Sequence, residues 1–462
     1  MSQITGFSIK GLHGSIDVDV PISDGKVILV GVNGLGKTTI VSMLYFVLTR
    51  QWQKLLEYEF NIIYLTLDSD QIEINQSVLA YPDISWQTSI FESLPIANVE
   101  RIRTSKEFRN LVFNAGAGFS NLTKDDVVRV ARRIEVPVSH VERILFDSIR
   151  ANSKRQRKTS KALLDIEARL EKFTSQVLYL PTYRRIEQDL KSLFPEFEGD
   201  FRKAVRQRVV RDGRSGYVEL VEFGMEDVES RVTAKVAALK EGSRVELNNL
   251  AGSYLRDVIR GEAKEWSGEK INQLPDHEIR LILARVEEKQ LDERDKGKVF
   301  EVINRIRDRQ ALDSDQDLLA HFFSKLVAIH EIQQKAEVPL RQFMEVCNKY
   351  LQAKRFEFDD VGYRLTLELD RGGTIEMRGL SSGEKQIVSL FAQIYLGDAE
   401  SYSLIIDEPE LSLSVEWQKT LLPDIVSSGR CCFLAAVTHS PFIYDNELFD
   451  CARDLAELQR AG

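Results

Sequence analysis

Gly31-Val32-Asn33-Gly34-Leu35-Gly36-Lys37-Thr38 fits the pattern G-x-x-x-x-G-K-[ST] at every fixed position, and its surroundings are those the pattern requires. Lys26 to Val30, just ahead of it, is valine-rich and reads as a strand. Behind it, from Thr39 to Leu48, Ile40, Met43, Leu44 and Val47 recur at helical spacing. Loop amides and a helix N-terminus then converge on one point, which is where phosphate binds. Gly31, Gly34 and Gly36 let the backbone curl with its N–H groups inward, and Asn33, Leu35 and Thr39 belong to the same cradle. Lys37 supplies a point charge for the β- and γ-phosphates, and the Thr38 hydroxyl is a hard oxygen ligand for Mg²⁺.

Composition limits what else the chain contains. Its 462 residues exceed the roughly 250 to 300 over which one core grows, so two or more domains are expected. A 43% hydrophobic and 29% charged make-up is that of an ordinary globular protein. No apolar run approaches membrane-spanning length, and MSQITGFSIKG lacks the regions of a signal peptide; a cytoplasmic protein with no membrane partner is expected. Cys347, Cys431, Cys432 and Cys451 show no C-x-x-C spacing and read as buried or incidental thiols. The net charge of −9 argues against a wholly basic nucleic-acid coat while leaving room for a local basic patch.

Ile4 to Val20 alternates as two strands around a turn near Gly11-Leu12-His13-Gly14, expected to flank the phosphate-loop strand; His13 reads as a turn residue. Asn61 to Gln76 reads as a second hairpin, turning at Asp68-Ser69-Asp70. Helical periods run from Phe91 to about Ser175, broken at Gly116 and Gly118, which read as a hinge or loop. Arg150, Lys154, Arg155, Arg157, Lys158 and Lys161 cluster ahead of Leu163, Ile166, Leu170 and Phe173 at coiled-coil-like spacing. The cluster is either a solvated helix face or a contact for a polyanion, nucleic acid or acidic protein. Val177 to Leu180 reads as a buried strand that delivers Arg184 and Arg185 to a sheet edge, where they reach phosphate or a neighbouring subunit, or pair with Glu187 or Asp189. Gln188 is a candidate to watch Mg²⁺ and the attacking water. Tyr217 to Met225 is one more strand, and Val228 to Ala353 reads as helices. Two apolar stripes mark that stretch: Val299, Val302, Ile303 and Ile306, then Leu319, Phe322, Phe323, Leu326 and His330.

Further on, Arg355 to Met377 reads as strands with a turn at Arg371-Gly372-Gly373. Leu380-Ser381-Ser382-Gly383-Glu384 then opens a helix with a hydroxyl and bare amides, an arrangement that serves an anion or simply caps the helix. Ser403 to Ile406 is an apolar strand ending in Asp407-Glu408-Pro409, which puts Asp407 on Mg²⁺ and leaves Glu408 free to deprotonate water. A last apolar strand, Cys432 to Val437, runs into Thr438-His439-Ser440-Pro441 and offers an imidazole to the γ-phosphate region.

These four pieces in this order resemble the ATP-binding-cassette (ABC) ATPases, more narrowly their SMC, RecF and OLD-type branch. Leu380, Ser381, Gly383 and Glu384 match that family's signature, and Ile406, Asp407, Glu408 and Pro409 its magnesium strand. The resemblance implies an α/β P-loop head split in sequence by a helical, coiled-coil-like insertion. Head segments are expected at 1–90, 176–225 and 356–462, with helical segments at 91–175 and 226–355. It also implies ATP and Mg²⁺ as ligands and a composite site between two chains. One chain would contribute the loop, Asp407, Glu408 and His439, the other Ser381 and Gly383.

Within the branch, the Tyr179-Leu180-Pro181-Thr182-Tyr183-Arg184-Arg185 stretch, the undivided length and the early ending look like the ATPases of the PARIS anti-phage defence system. That resemblance implies a homo-oligomer that holds a separate TOPRIM-type nuclease until a phage anti-restriction or DNA-mimic protein triggers release. The zinc-hook C-x-x-C of the break-repair relatives is absent. After His439 about two dozen residues are left, below the usual domain minimum of roughly 50, so no fused nuclease is expected. The rival readings are a DNA-repair ATPase of RecF or SMC type, which leaves direct DNA binding open, and an ATP-bound scaffold with little turnover.

Overall fold

The computed structural model describes residues 3–68, 70–79, 105, 108, 124–134, 136–142, 162–171, 173, 175–180, 217–219, 225–264, 268–286 and 291–461. The basic cluster from Arg150 to Lys161, Arg184, Arg185, Gln188, Gly116 and Gly118 lie outside the described residues. Strands β1 (Ile4–Leu12), β2 (Ile16–Pro21), β3 (Lys26–Val30), β4 (Ile62–Leu67) and β5 (Asp70–Asn75) come first. They are followed by β6 (Gln176–Leu180), β7 (Tyr217–Glu219), β8 (Lys354–Asp359), β9 (Arg364–Leu369) and β10 (Thr374–Ile375). β11 (Tyr402–Asp407), β12 (Cys431–Val437), β13 (Ala452–Asp454) and β14 (Gln459–Ala461) complete the set.

Two compact units divide the chain: Met1–Glu219 with Glu400–Leu411 and Gln418–Gly462, and Leu220–Ala399 with Ser412–Trp417. The first holds an all-parallel sheet ordered β13-β3-β12-β11-β6-β7. Such a sheet needs cover on both faces, and its central strands are correspondingly apolar throughout: every residue of β11 is buried. Fully burying Ile405 and Ile406 contributes about 1.5–3 kcal/mol each. Leu29 pairs with Val437 and Val437 with Asp407, so the carboxyl ends of β3, β12 and β11 stand level. In an open parallel sheet that edge is where ligands bind.

The same unit contains an antiparallel sheet ordered β14-β2-β1-β4-β5. The hairpin of β1 and β2 belongs there. The expectation that it flanks the phosphate-loop strand is therefore corrected, because β3 lies between β12 and β13. The reason is visible in the burial. β4 alternates buried with half-buried positions and has one face to cover, whereas β3 is buried through its middle and needs two. The loop helix, Lys37–Leu48, adds Ile40, Met43, Tyr45 and Val47 to a core that also takes Phe7, Ile63 and Leu29. Tyr45 stacks on Tyr179 of β6 with ring centroids 4.6 Å apart, and Tyr179 shares a 3.0 Å hydrogen bond with Ser42. The helix is thus fixed at its flank before any ligand arrives.

The second unit is built on long helices, Met225–Arg260 and Ser314–Tyr350, with Asp276–Ala284 and Glu293–Arg307 beside them. Val299, Val302, Ile303 and Ile306 lie in its core with Phe323 and Leu326, as their helical spacing predicts. His330 is buried with them, and His321 is bound 3.1 Å from Asp257. A capping box between Asp313 and Gln316 starts the Ser314–Tyr350 helix. Buried Arg285 is satisfied by Gln333 and Glu337, each at 2.7 Å. The three-stranded sheet β10-β9-β8 and the signature helix, Ser382–Leu396, belong to this unit too.

Candidate functional site

The cradle begins where β3 ends. Gly34 and Gly36 have φ of 90° and 82°, left-handed values that cost a side-chain-bearing residue about 1–2 kcal/mol, and Gly36 is the N-cap of the loop helix. Lys37 is folded back over the loop: its Nζ donates to the carbonyls of Gly31 at 2.9 Å and Val32 at 3.0 Å. Across each trans peptide the N–H points opposite to the carbonyl, so these two bonds aim the amides of Val32 and Asn33 away from the ammonium. Burial presses the Lys37 pKa below its ordinary value, while Asp407, Glu408, Glu410 and Asp454 act to restore it. An anion beside Lys37 adds to the second effect. Asn33 is exposed at the loop tip and Thr39 is half-buried in the first helical turn.

Thr38 Oγ1 donates to Asp407 Oδ2 at 3.0 Å, which joins the loop helix to the end of β11. Glu408 follows with φ 50°, a left-handed conformation that costs a non-glycine residue about 1–3 kcal/mol, and its amide donates to Val437 at 2.8 Å. That turn separates the two acids: Asp407 is fully buried and Glu408 half-buried. Burial raises the Glu408 pKa, with Asp407 and Glu410 adding to it; His439 and Lys37 oppose the rise. A raised carboxyl pKa moves the group toward what a general base at neutral pH needs.

β12 delivers buried Thr438 and exposed His439 to the same edge. Glu410 accepts from the Thr438 hydroxyl at 2.8 Å and from the His439 amide at 2.9 Å. Ser440 donates to Gln418 at 2.6 Å. A cavity of about 420 Å³ opens beside the loop, lined among others by Gly31, Val32, Leu35, His439, Tyr444 and Asp454.

In the second unit, Ser381 caps the signature helix in a reciprocal box with Glu384. Glu384 Oε2 accepts from the Ser381 amide and hydroxyl, both at 2.8 Å, and Lys354 lies 2.9 Å from Oε1. Burial works against the charged carboxylate, but the Ser381 amide, Lys354 and the Ser381 hydroxyl together hold its pKa below the usual range. Gly383 has no space for a side chain, since a Cβ there would stand 2.6 Å from the Ser412 carbonyl oxygen.

The family described as "AAA domain, putative AbiEii toxin, Type IV TA system" matches residues 128–445. The chain belongs to this family. As an AAA-domain chain related to abortive-infection toxin–antitoxin ATPases, it carries a P-loop ATPase domain, of a kind that uses ATP and as a rule Mg²⁺. No curated protein matches it. Among the solved structures similar to this chain, two match over 100% of it. One is the Smc head domain of Pyrococcus furiosus with an extended coiled coil, bound to the C-terminal domain of ScpA, at 13% identity, TM-score 0.32 and 96% of that chain covered. The other is the Smc head domain of Pyrococcus yayanosii with a coiled coil and joint, at 16%, 0.29 and 97%. Scores at that level carry no shared property.

The family match takes in Leu380 to Glu384, Asp407, Glu408 and His439, whereas the phosphate loop precedes it and rests on its own geometry. In this AAA-domain chain the Thr38 and Asp407 oxygens already meet, and they are the hard donors Mg²⁺ prefers. Among the described residues no cluster of three His, Cys, Asp or Glu could hold a metal. Two protein oxygens, with the remaining positions left to phosphate and water, is the usual arrangement for Mg²⁺. Sequence reasoning missed Glu410 although it stands two residues after Glu408 in Asp-Glu-Pro-Glu; a third acid in that run was the available signal. It also missed Thr438 as a hydrogen-bonding residue and Gln459, whose partner lies 424 positions away.

Proposed function

We propose that this chain is the ATP-binding and hydrolysing sensor and scaffold subunit of an anti-phage defence complex. The observation that carries the ATPase part is the convergence of Lys37, Thr38, Asp407 and Glu408 at one sheet edge, with Thr38 and Asp407 in direct contact. Lys37 leaves the Gly31 and Val32 carbonyls to hold the β- and γ-phosphates, and the amides at the start of the loop helix take their oxygens. Thr38 and Asp407 would hold Mg²⁺, which neutralises phosphate charge when bound. Glu408 accepts the proton of the attacking water, and His439 faces the γ-phosphate. In this reading Ser381 and Gly383 of a second copy complete the site, so the working form is at least a dimer.

The defence part rests on the family's toxin–antitoxin description and on the resemblance to AriA, the ATPase of the PARIS system. It assigns the toxic chemistry to a separate TOPRIM nuclease of the AriB kind, held until a phage protein of DNA-mimic type releases it. Magnesium-dependent ATP turnover by the purified chain, lost in Glu408→Gln, tests the enzymatic claim, and the absence of turnover would leave an ATP-bound scaffold. Co-expression with a TOPRIM nuclease of the AriB kind tests the second claim. Failure to co-purify, together with salt-sensitive DNA binding that stimulates turnover, would favour the repair ATPase instead.

A further inference from the structure

Residues 452–461 form a strap across the base of the phosphate loop. β13 runs parallel to β3, with Ala452, Arg453 and Asp454 opposite Ile28, Leu29 and Val30. A single turn, Leu455–Leu458, then buries Leu455 completely, and β14 pairs antiparallel with β2, placing Gln459 opposite Val18. The strap is therefore tied to both sheets of its unit. It touches the loop at two points. A Cβ on Gly31, at φ 141°, would stand 3.3 Å from Asp454 Oδ1, so the strap lies directly against that glycine. The Gln459 side chain, half-buried at the start of β14, donates Nε2–H to the Leu35 carbonyl at 2.8 Å.

That bond acts on the peptide between Leu35 and Gly36. In a trans peptide the carbonyl and the following N–H point in opposite directions, so a donor that captures the Leu35 oxygen on the strap side turns the Gly36 N–H toward the other side. Gly36 is the N-cap of the loop helix, where an inward amide belongs to the phosphate cradle. Lys37 holds the neighbouring carbonyls of Gly31 and Val32, but it must release them when phosphate arrives. The Gln459 bond comes from the strap and does not use the Lys37 ammonium. We infer that Gln459 is a positioning residue that preorganises the phosphate loop for the nucleotide through the Leu35 carbonyl.

This inference rests on the ATPase reading. It is tested on the full chain with Gln459→Met, which keeps length and loses the donor, and Gln459→Glu, which sets a carboxylate against the carbonyl. The probes are ATP and ADP with Mg²⁺. Dissociation constants are expected to rise about two- to tenfold in Gln459→Met, the worth of one hydrogen bond, and at least as far in Gln459→Glu. Turnover at saturating ATP should stay within about twofold, because the loss falls equally on ground and transition state. Arg460→Ala, on the same strand but exposed, should match the wild type. Unchanged dissociation constants in both Gln459 variants would overturn the inference. So would a melting point that falls together with affinity and turnover, since Gln459 would then only hold the strand. A wild-type chain that binds no nucleotide would sink the ATPase reading itself, which is a distinguishable result.

Discussion

Glu410 accepts the Thr438 hydroxyl at 2.8 Å through one carboxylate oxygen and the His439 amide at 2.9 Å through the other. The acid that follows the Asp407–Glu408 pair thereby fixes the backbone that carries the imidazole. Hydrogen bonds to a charged group contribute about 1.5–3 kcal/mol each, and a glutamine offers one acceptor where two are needed. Glu410→Gln is therefore expected to lower ATP turnover by about tenfold through misplacement of His439 while leaving ATP affinity within about twofold. Steady-state rates and equilibrium binding on the same preparation check this, and wild-type turnover in the variant would refute it.

Lys37 and Glu408 should separate cleanly. In the proposed site Lys37→Ala removes the ammonium that holds phosphate charge, so binding should be lost. Glu408→Gln keeps shape and the left-handed turn but removes the base, so ATP still binds while turnover falls by about 10²–10⁴. Equal loss of nucleotide affinity in the two variants would remove Glu408 from its catalytic role.

The loop, the carboxylate pair and the signature were legible because each is a local pattern attached to one element end. Glu410 and Gln459 were not. Their partners are brought to them by the parallel pairing of β11 with β12 and by the return of β14 onto β2, neither of which a linear spacing encodes. The alternation of Ile4 to Val20 marks strands with one covered face, but it holds no information on which sheet they join, and the hairpin lies in the antiparallel sheet and not beside β3. Ser381 had two readings, anion site or helix cap, and the cap is what the described chain displays by itself.

In the proposed mechanism the pH dependence of turnover follows from Glu408. Its pKa is raised above 4.5 by burial, then by Asp407 and Glu410, so the acid limb of turnover should lie above that of an ordinary glutamate. Removing the Glu410 charge takes away one cause, and the limb should move to lower pH in Glu410→Gln. Stability carries the same sign. The folded state holds the Glu408 proton more tightly than the unfolded state, so between 4.5 and the raised value stability falls as pH rises. Glu408→Gln should consequently melt higher than wild type at pH 7, with the difference fading below pH 4.5. A variant that melts lower at neutral pH would contradict this.

Gly383→Ala and Ser381→Arg probe the signature in different ways. The added methyl at 383 would meet the Ser412 carbonyl at 2.6 Å and the Trp417 ring at 3.2 Å; backbone does not yield cheaply, so a loss of about 1–3 kcal/mol in stability is expected. Ser381→Arg removes the cap, at about 1 kcal/mol, and sets a large cation where the proposed composite site receives a second copy. A single chain should still bind ATP, because Lys37 and Thr38 lie in the other unit. Mixing Ser381→Arg with Lys37→Ala then decides whether two chains share a site. A mixed pair retains one intact loop facing one intact signature, so part of the turnover should return once subunits exchange. Mixtures as inactive as either parent, with exchange confirmed by two differently tagged chains, would refute the composite site. The loss in Ser381→Arg would then be that of a helix cap.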